Sequence, residues 1–290
     1  MKFVAYDDRY KMGVISCLKR NYAWMSELTD EQVYKWLIPV INYSWIGEFD
    51  DHLFPYVRGI VLLDDSDTVR GFSAVIHSKQ SINESKKVVV SPSTTAIDGE
   101  YRYCFFEMCE EIYKYADIGY DFSPSEAVRI ISRDRFGFEI IDNPTYMMLP
   151  FFSRTKGLNI DNEIKDENTK QILRDHIDYG IKCCHLFSSK EETYVFYKII
   201  KKIKRLPIRT LCVIHITNPK MFTNHFKQCV SLLSRKEHSC FMADSRYVDV
   251  NQLPKHFVKK QKYRAIHNPC GSSDYTFLYS ELALLQNEMV

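Results

Sequence analysis

Between Arg58 and Pro150 short apolar runs alternate with two amphipathic stretches, a pattern that predicts strand, strand, strand, helix, strand, helix, strand. Arg58–Asp64 and Thr68–Ser78 are apolar runs joined by the acidic turn Asp64, Asp65, Ser66, Asp67. Lys86–Ile97 is a third run, rich in Val and Thr, which fit a pleated surface. Gly99–Tyr115 carries helical spacing. Asp117–Phe122 reads as a short strand leading into Ser123, Pro124 and Ser125. Ser125–Arg135 is a second helix, with Ser125 as its cap and a stop at Phe136, Gly137 and Phe138. Glu139–Leu149 closes the set.

The flanks extend this pattern. Residues 9–22 have helical spacing, and Thr29 followed by Asp30, Glu31 and Gln32 predicts a helix start, with Pro39 ending that helix near Ile38. A short strand fits at Lys2–Tyr6. After a polar stretch, Lys182–Ser188, Glu192–Lys201 and Leu211–Ile216 read as strands. Asn218 caps a helix over 219–236 with Pro219 at its first position, and Ser239–Val250 is strand-like. The tail from Pro254 is basic and irregular, with a short helix over Ser280–Leu285. Three strands, a helix and a strand thus recur in the second half, which predicts a duplicated unit. The expected fold class is α/β (α+β), a mixed, mostly antiparallel twisted sheet flanked by helices, in tandem. The expected domains are 1–152 and 169–290, joined by a linker over 153–168.

Composition narrows the classes. At 45% hydrophobic and 14% aromatic, 290 residues are ample for a core. No apolar run nears the roughly 18 residues that span a bilayer. The N-terminus turns polar by Tyr6–Asp8, too early for a secretory leader, so the expected location is cytoplasmic. Nine cysteines are scattered without a CxxC pair, which predicts reduced, buried thiols and no metal site. Residues 1–150 carry 16 Lys+Arg against 23 Asp+Glu, and the remainder 23 against 14. The second half therefore favours anions. Its densest basic group is Lys198, Lys201, Lys202, Lys204, Arg205 and Arg209. A solvated strand end, an anionic sugar-linked substrate or a membrane face would each account for it, and no DNA-reading motif accompanies it. No GxSxG, Walker loop, HExxH or GxGxxG occurs, so hydrolase, NTPase, zinc protease and dinucleotide classes lack support.

Element order, the hairpin Asp65–Lys79 (DSDTVRGFSAVIHSK) and the helix Ala127–Phe138 with its Arg-Phe-Gly-Phe ending resemble the GNAT acyltransferase superfamily over about residues 1–150. Ser91–Asp98 and Glu100–Arg102, with Asp175, His176 and Leu206–Ser231 in the second half, look like the two-lobed bacterial members tied to exopolysaccharide or cell-envelope biosynthesis. The resemblance implies an acyl-CoA co-substrate, acetyl-CoA or a longer chain. Its diphosphate would lie at the helix start near Gly99, touching Ile97, Asp98, Arg102, Tyr103, Cys104 and Phe105, with Ser125 beside the CoA arm. The pantetheine would run along Lys87–Ile97, and the acyl carbonyl would lie where that strand splays from Asp117–Phe122. His77, as a base, and Ser93 and Thr94, in place of a carboxylate, are the expected catalytic residues. The expected acceptor is a small molecule or a sugar-linked group, with peripheral membrane association and a homodimer as possible states.

The chain departs from the superfamily pattern at three places. Counting from Arg102, both glycine positions of the phosphate loop are filled, by Phe105 and Glu107, and a Tyr position on the last helix holds Arg133. Three functions stay open: an acyl-CoA-dependent N- or O-acyltransferase, a degenerate GNAT-like binding or assembly protein, and an aminoacyl-tRNA-dependent transferase.

Overall fold

The structure is a computed structural model that describes residues 1–50, 52–82, 84–151, 153–155, 157–201, 207–267 and 276–285. The chain opens with β1 (Lys2–Ala5), α1 (Lys11–Asn21), α2 (Ala23–Ser26) and α3 (Asp30–Ile41), followed by β2 (Ile60–Leu63), β3 (Val69–Ile82) and β4 (Ser85–Ile97). Then come α4 (Phe105–Tyr113), β5 (Ile118–Asp121), α5 (Glu126–Phe136), β6 (Glu139–Asp142) and β7 (Thr145–Met148). The rest comprises β8 (Asn159–Asp161), α6 (Glu167–His176), β9 (Ile181–Phe187), β10 (Glu192–Ile200), β11 (Thr210–Ile216), α7 (Pro219–Asn224), α8 (Phe226–Glu237), β12 (Cys240–Asp244), β13 (Phe257–Lys260), β14 (Tyr263–His267) and α9 (Glu281–Leu284).

Local chemistry sets the helix ends. Thr29 and Gln32 form a reciprocal capping box at α3, and Ser125 Oγ accepts from the Val128 amide at α5. Gly137, at φ 66°, gives α5 the left-handed turn that a side chain resists. Asn218 caps α7 with Pro219 in its first turn. Pro39 does not end α3. It lies inside the helix, where buried Val40 and Ile41 carry the chain on for a further turn.

Two sheets result, each of seven strands. The first runs β1-β2-β3-β4-β5-β14-β6, the second β13-β7-β12-β11-β10-β9-β8. Each has one parallel pair, β4–β5 and β11–β12, and otherwise the described registers are antiparallel. Read inward from β1 and from β8 the orders correspond strand for strand, with one exchange. β14, late in the chain, completes the first sheet, and β7, early in the chain, completes the second. The mixed, mostly antiparallel fold class is as expected.

The compact units follow the sheets. One comprises Met1–Ile140, described residues 265–267 and Tyr279–Leu285; the other comprises Ile141–Arg264 and Thr276–Leu278. The stretch 153–168, expected as a linker, holds β8, paired to β9, and the Asp166 cap of α6. Strands β13 and β14 occupy part of the tail expected to be irregular.

In the first unit β2, β3 and β4 pack Ile60, Leu62, Val75, Val90 and Ile97 against Cys104, Met108 and Ile112 of the α4 segment. In the second, Leu211, Val213 and Phe241 meet Phe222, Phe226, Cys229 and Leu233 of α7 and α8. Among the described residues no helix is long and apolar enough to cross a membrane.

Candidate functional site

The parallel pairing of β4 and β5 lasts two residues, Val89–Ile118 and Val90–Gly119. Beyond it the strands part into a wedge. The cause lies in β4. Across from Ser73 the strand holds an extra residue, so the register jumps from Ala74–Ser93 to Phe72–Ala96. Thr94 sits there at φ 56°. A β-branched residue in the left-handed region costs about 1–3 kcal/mol, and hydrogen bonds hold the distortion: Ser93 Oγ to Thr94 Oγ1 at 3.2 Å, and Ser73 Oγ to Thr95 Oγ1 at 2.7 Å.

A carboxylate lies in the wedge. Ser91 Oγ donates to Glu281 Oε2 at 2.9 Å, and Ser123 Oγ, just past β5, donates to Glu281 Oε1 at 3.1 Å. Glu281 opens α9, whose cap is Ser280, and is only 1% exposed. Polar groups this deeply buried require partners; the two hydroxyls are among them, one from β4 and one from just past β5. Tyr120 and Phe122 stack with ring centroids 5.0 Å apart beside Gly119. Next to the bulge, Tyr22 donates to the Thr95 carbonyl at 2.8 Å and begins an aromatic row through Trp24 (6.4 Å) to Trp36 (5.3 Å). Trp24 is exposed.

The segment expected to cradle a diphosphate begins with a six-residue 3-10 stretch, Gly99–Cys104, before α4. Asp98 precedes it, buried and clamped by Arg20 (2.8 and 3.1 Å), Asn21 (3.0 Å) and Arg70 (3.7 Å). Gly99 has open space around it, and Arg102 and Tyr103 are exposed. Ile97 and Cys104 belong to the core, and burial raises the Cys104 thiol pKa. Phe105 packs half-buried against that core rather than over the Gly99 tip, and Glu107 is exposed. Around this tip Arg20, Arg70 and Arg102 stand against Asp98, Glu100 and Asp64, the last bound to Arg70 at 2.7 Å, so the nearby charges balance and Arg102 is an exposed cation among them. Ser125 is occupied in capping α5.

The structure separates the expected catalytic residues. Ser93 and Thr94 meet at the bulge, but His77 pairs with Val90, out of phase with Ser91 and Ser93, so its side chain points to the opposite face of the sheet. There it is 1% exposed beside Phe49 (5.4 Å) and Phe54 (5.7 Å). Burial pushes its pKa down to about 4. Buried among these aromatics and away from Ser91 and Ser93, His77 is a core residue. His176, too, is buried, and bonds the Ile172 and Leu278 carbonyls. Of the expected basic group, three members are described, and of these Lys201 is exposed. Lys198 is buried, Arg209 is bound to Glu237, and Lys202, Lys204 and Arg205 lie outside the described residues. No cluster of metal ligands occurs among the described residues.

The second unit has a wedge of its own, with different contents. The β11–β12 pairing ends at Cys212–Met242. Past it, His215 Nδ1 lies 3.2 Å from Thr276 Oγ1, and buried Phe277 is stacked under Arg246 (4.4 Å) and Arg264 (5.1 Å). Arg246 in turn pairs with buried Asp244 at 2.6 Å.

Sequence reasoning did not single out Glu281. Nothing near it in the chain marks it, because its partners lie 190 and 158 residues away.

No protein-family profile matches this sequence, and no curated protein matches it. The structure is similar to that of a GCN5-related N-acetyltransferase from Anabaena variabilis ATCC 29413, at 11% identity over 91% of this chain and 72% of that one, with a TM-score of 0.54. It is also similar to a conserved protein of Enterococcus faecalis V583 described as a probable N-acyltransferase, at 13% identity over 91% of this chain and 72% of that one, with a TM-score of 0.52. With three antiparallel strands, a helix and a parallel fourth strand that diverges from the third, the chain has the fold of the GCN5-related N-acetyltransferases.

Proposed function

We propose that this protein is an acyl-CoA-dependent acyltransferase whose chemistry takes place in the β4–β5 wedge of the first unit. The observation that carries the reading is Glu281, a buried carboxylate held by Ser91 and Ser123 where two parallel strands separate. An acyl thioester laid along β4 brings its carbonyl to the bulge. The acceptor amine attacks that carbon, its proton passes to Glu281, and the thiolate of CoA leaves. The carboxylate needs no other machinery than the two hydroxyls that aim it. The Gly99 tip with Arg102 would take the diphosphate, and Ile97 and Asp98 would serve as supports behind it. The row Tyr22, Trp24 and Trp36 offers flat apolar surface next to the bulge, which suits a sugar-linked amino or hydroxyl acceptor.

The test is calorimetry with acetyl-CoA and longer acyl-CoAs, followed by thiol release in the presence of amine acceptors. Binding heat that Arg102→Ala weakens, with turnover that Glu281→Gln removes, supports the reading. No heat with any acyl-CoA overturns it. A binding protein without turnover is the second reading, favoured by Phe105 and Glu107 at the glycine positions. Acyl-CoA binding with no thiol release for any acceptor would favour it.

A further inference from the structure

Among the described residues each sheet ends in two strands that have a neighbour on one side only: β1 and β6 in the first, β8 and β13 in the second. An open strand edge presents unpaired N–H and C=O groups, and proteins protect such edges by covering them or charging them. β1, β6 and β8 each keep two of their residues at least partly covered. In β13 all four residues are exposed. It pairs with β7 through Phe257–Met148, Val258–Met147, Lys259–Tyr146 and Lys260–Thr145.

Its side chains are divided by type along the strand. Phe257 is 44% exposed and Val258 56%, one on each face, with Leu149 at 60% following β7. Lys259 and Lys260 come next, again one on each face. A purely protected edge would not leave Phe, Val and Leu open to water together. Along the chain the charge around β13 has one sign, although Asp142 of β6 bonds Gln261 just past the strand and Arg264 is buried. From Val250 to His267 there are Lys255, Lys259, Lys260, Lys262 and Arg264, and no Asp or Glu. A second copy of this edge would bring lysines against lysines or against Phe257 and Val258, which disfavours self-pairing.

We infer that β13 is a docking edge for an extended acidic segment of a partner protein, which adds to the second sheet as an eighth strand. Antiparallel to β13, the segment sets two acidic side chains opposite Lys260 and Lys259, followed by two apolar ones opposite Val258 and Phe257. Main-chain hydrogen bonds supply the attachment, and the alternating pairs supply register and selectivity. The inference does not depend on the acyl-transfer reading.

The probe is a fluorescein-labelled, end-blocked peptide, Thr-Glu-Asp-Val-Ile-Thr, titrated with the full chain and followed by anisotropy. Saturable binding that weakens with added salt is expected. The double variant Lys259→Glu/Lys260→Glu should bind about tenfold more weakly or worse, with an unchanged melting temperature because both side chains are exposed. The charge-swapped peptide Thr-Lys-Lys-Val-Ile-Thr should bind that variant and not the parent. Absent binding at millimolar protein, equal binding to the double variant, or no rescue by the swapped peptide overturns the inference. So does capture by phosphatidylserine vesicles with no response to the peptide, which would make the patch a membrane contact.

Discussion

The two wedges share their strand geometry and differ in what fills them. In the first unit β4 and β5 part around a carboxylate that two hydroxyls hold. In the second, β11 and β12 part around Phe277, stacked under two guanidinium groups, with His215 bonded to Thr276. A polar, hydrogen-bonded wedge can move a proton. An aromatic wedge closed by cation–π contacts is packing. The two sheets therefore supply two similar clefts, one lined by a hydrogen-bonded carboxylate and the other by the contacts of a core.

The largest effect expected from this contrast is on rate. Glu281→Gln keeps the shape of the first wedge and removes its proton acceptor, so thiol release from acyl-CoA should fall by about 100-fold or more with little change in thermal stability. An unchanged rate would place the chemistry elsewhere. Next is stability. Phe277→Ala empties the second wedge and should cost about 3–4 kcal/mol in denaturant unfolding; a loss below about 1 kcal/mol would show that Phe277 is not a core residue.

The third expectation is a pH dependence that separates the wedges. Burial, reinforced by the Arg246 charge, lowers the His215 pKa to about 4 from an ordinary 6.5. The unfolded chain then binds the proton more readily than the folded one. The stability that neutral His215 contributes is complete above pH 6.5 and is lost as pH falls from there toward 4, at most ~3 kcal/mol. His215→Asn should flatten the unfolding free energy over that window relative to the parent. A parallel curve for the two proteins would contradict the assignment. The smallest effect is that of Ser123→Ala. Removing one of the hydroxyls that aim Glu281 should lower turnover about tenfold or less, and Ser91→Ala somewhat more because that bond is buried.

How much of this could be read from the chain depends on where each signal lies. The strand and helix order of residues 58–138 was legible because apolar runs are punctuated by local chemistry, Ser125 and Gly137 above all, but Glu139–Leu149, expected as one strand, divides into β6 and β7, which join different sheets. The second half repeated that order legibly up to β12. Strands β13 and β14 were not legible. β13 is exposed on both faces and carries no alternation, and Arg264 interrupts the apolar pattern of β14 although the fold buries it. Each strand is defined by what pairs with it across the chain. The same holds within the site. The bulge falls at Ser93 and Thr94, both among the expected residues, but the face that His77 takes is not marked in the chain, because the register that sets its phase is fixed by the Val90 pairing. Glu281 meets Ser91 and Ser123 only because α9 brings it to them.

The most direct test is a backbone amide titration by NMR, with acetyl-CoA added to isotopically labelled protein. If the first wedge is the reaction site, shifts will concentrate at Ser91–Ile97, Gly99–Arg102 and Ser123, and residues of β11 and β12 will stay in place. Shifts confined to β11 and β12, or none at saturating acetyl-CoA, would contradict the assignment of chemistry to the wedge that holds Glu281.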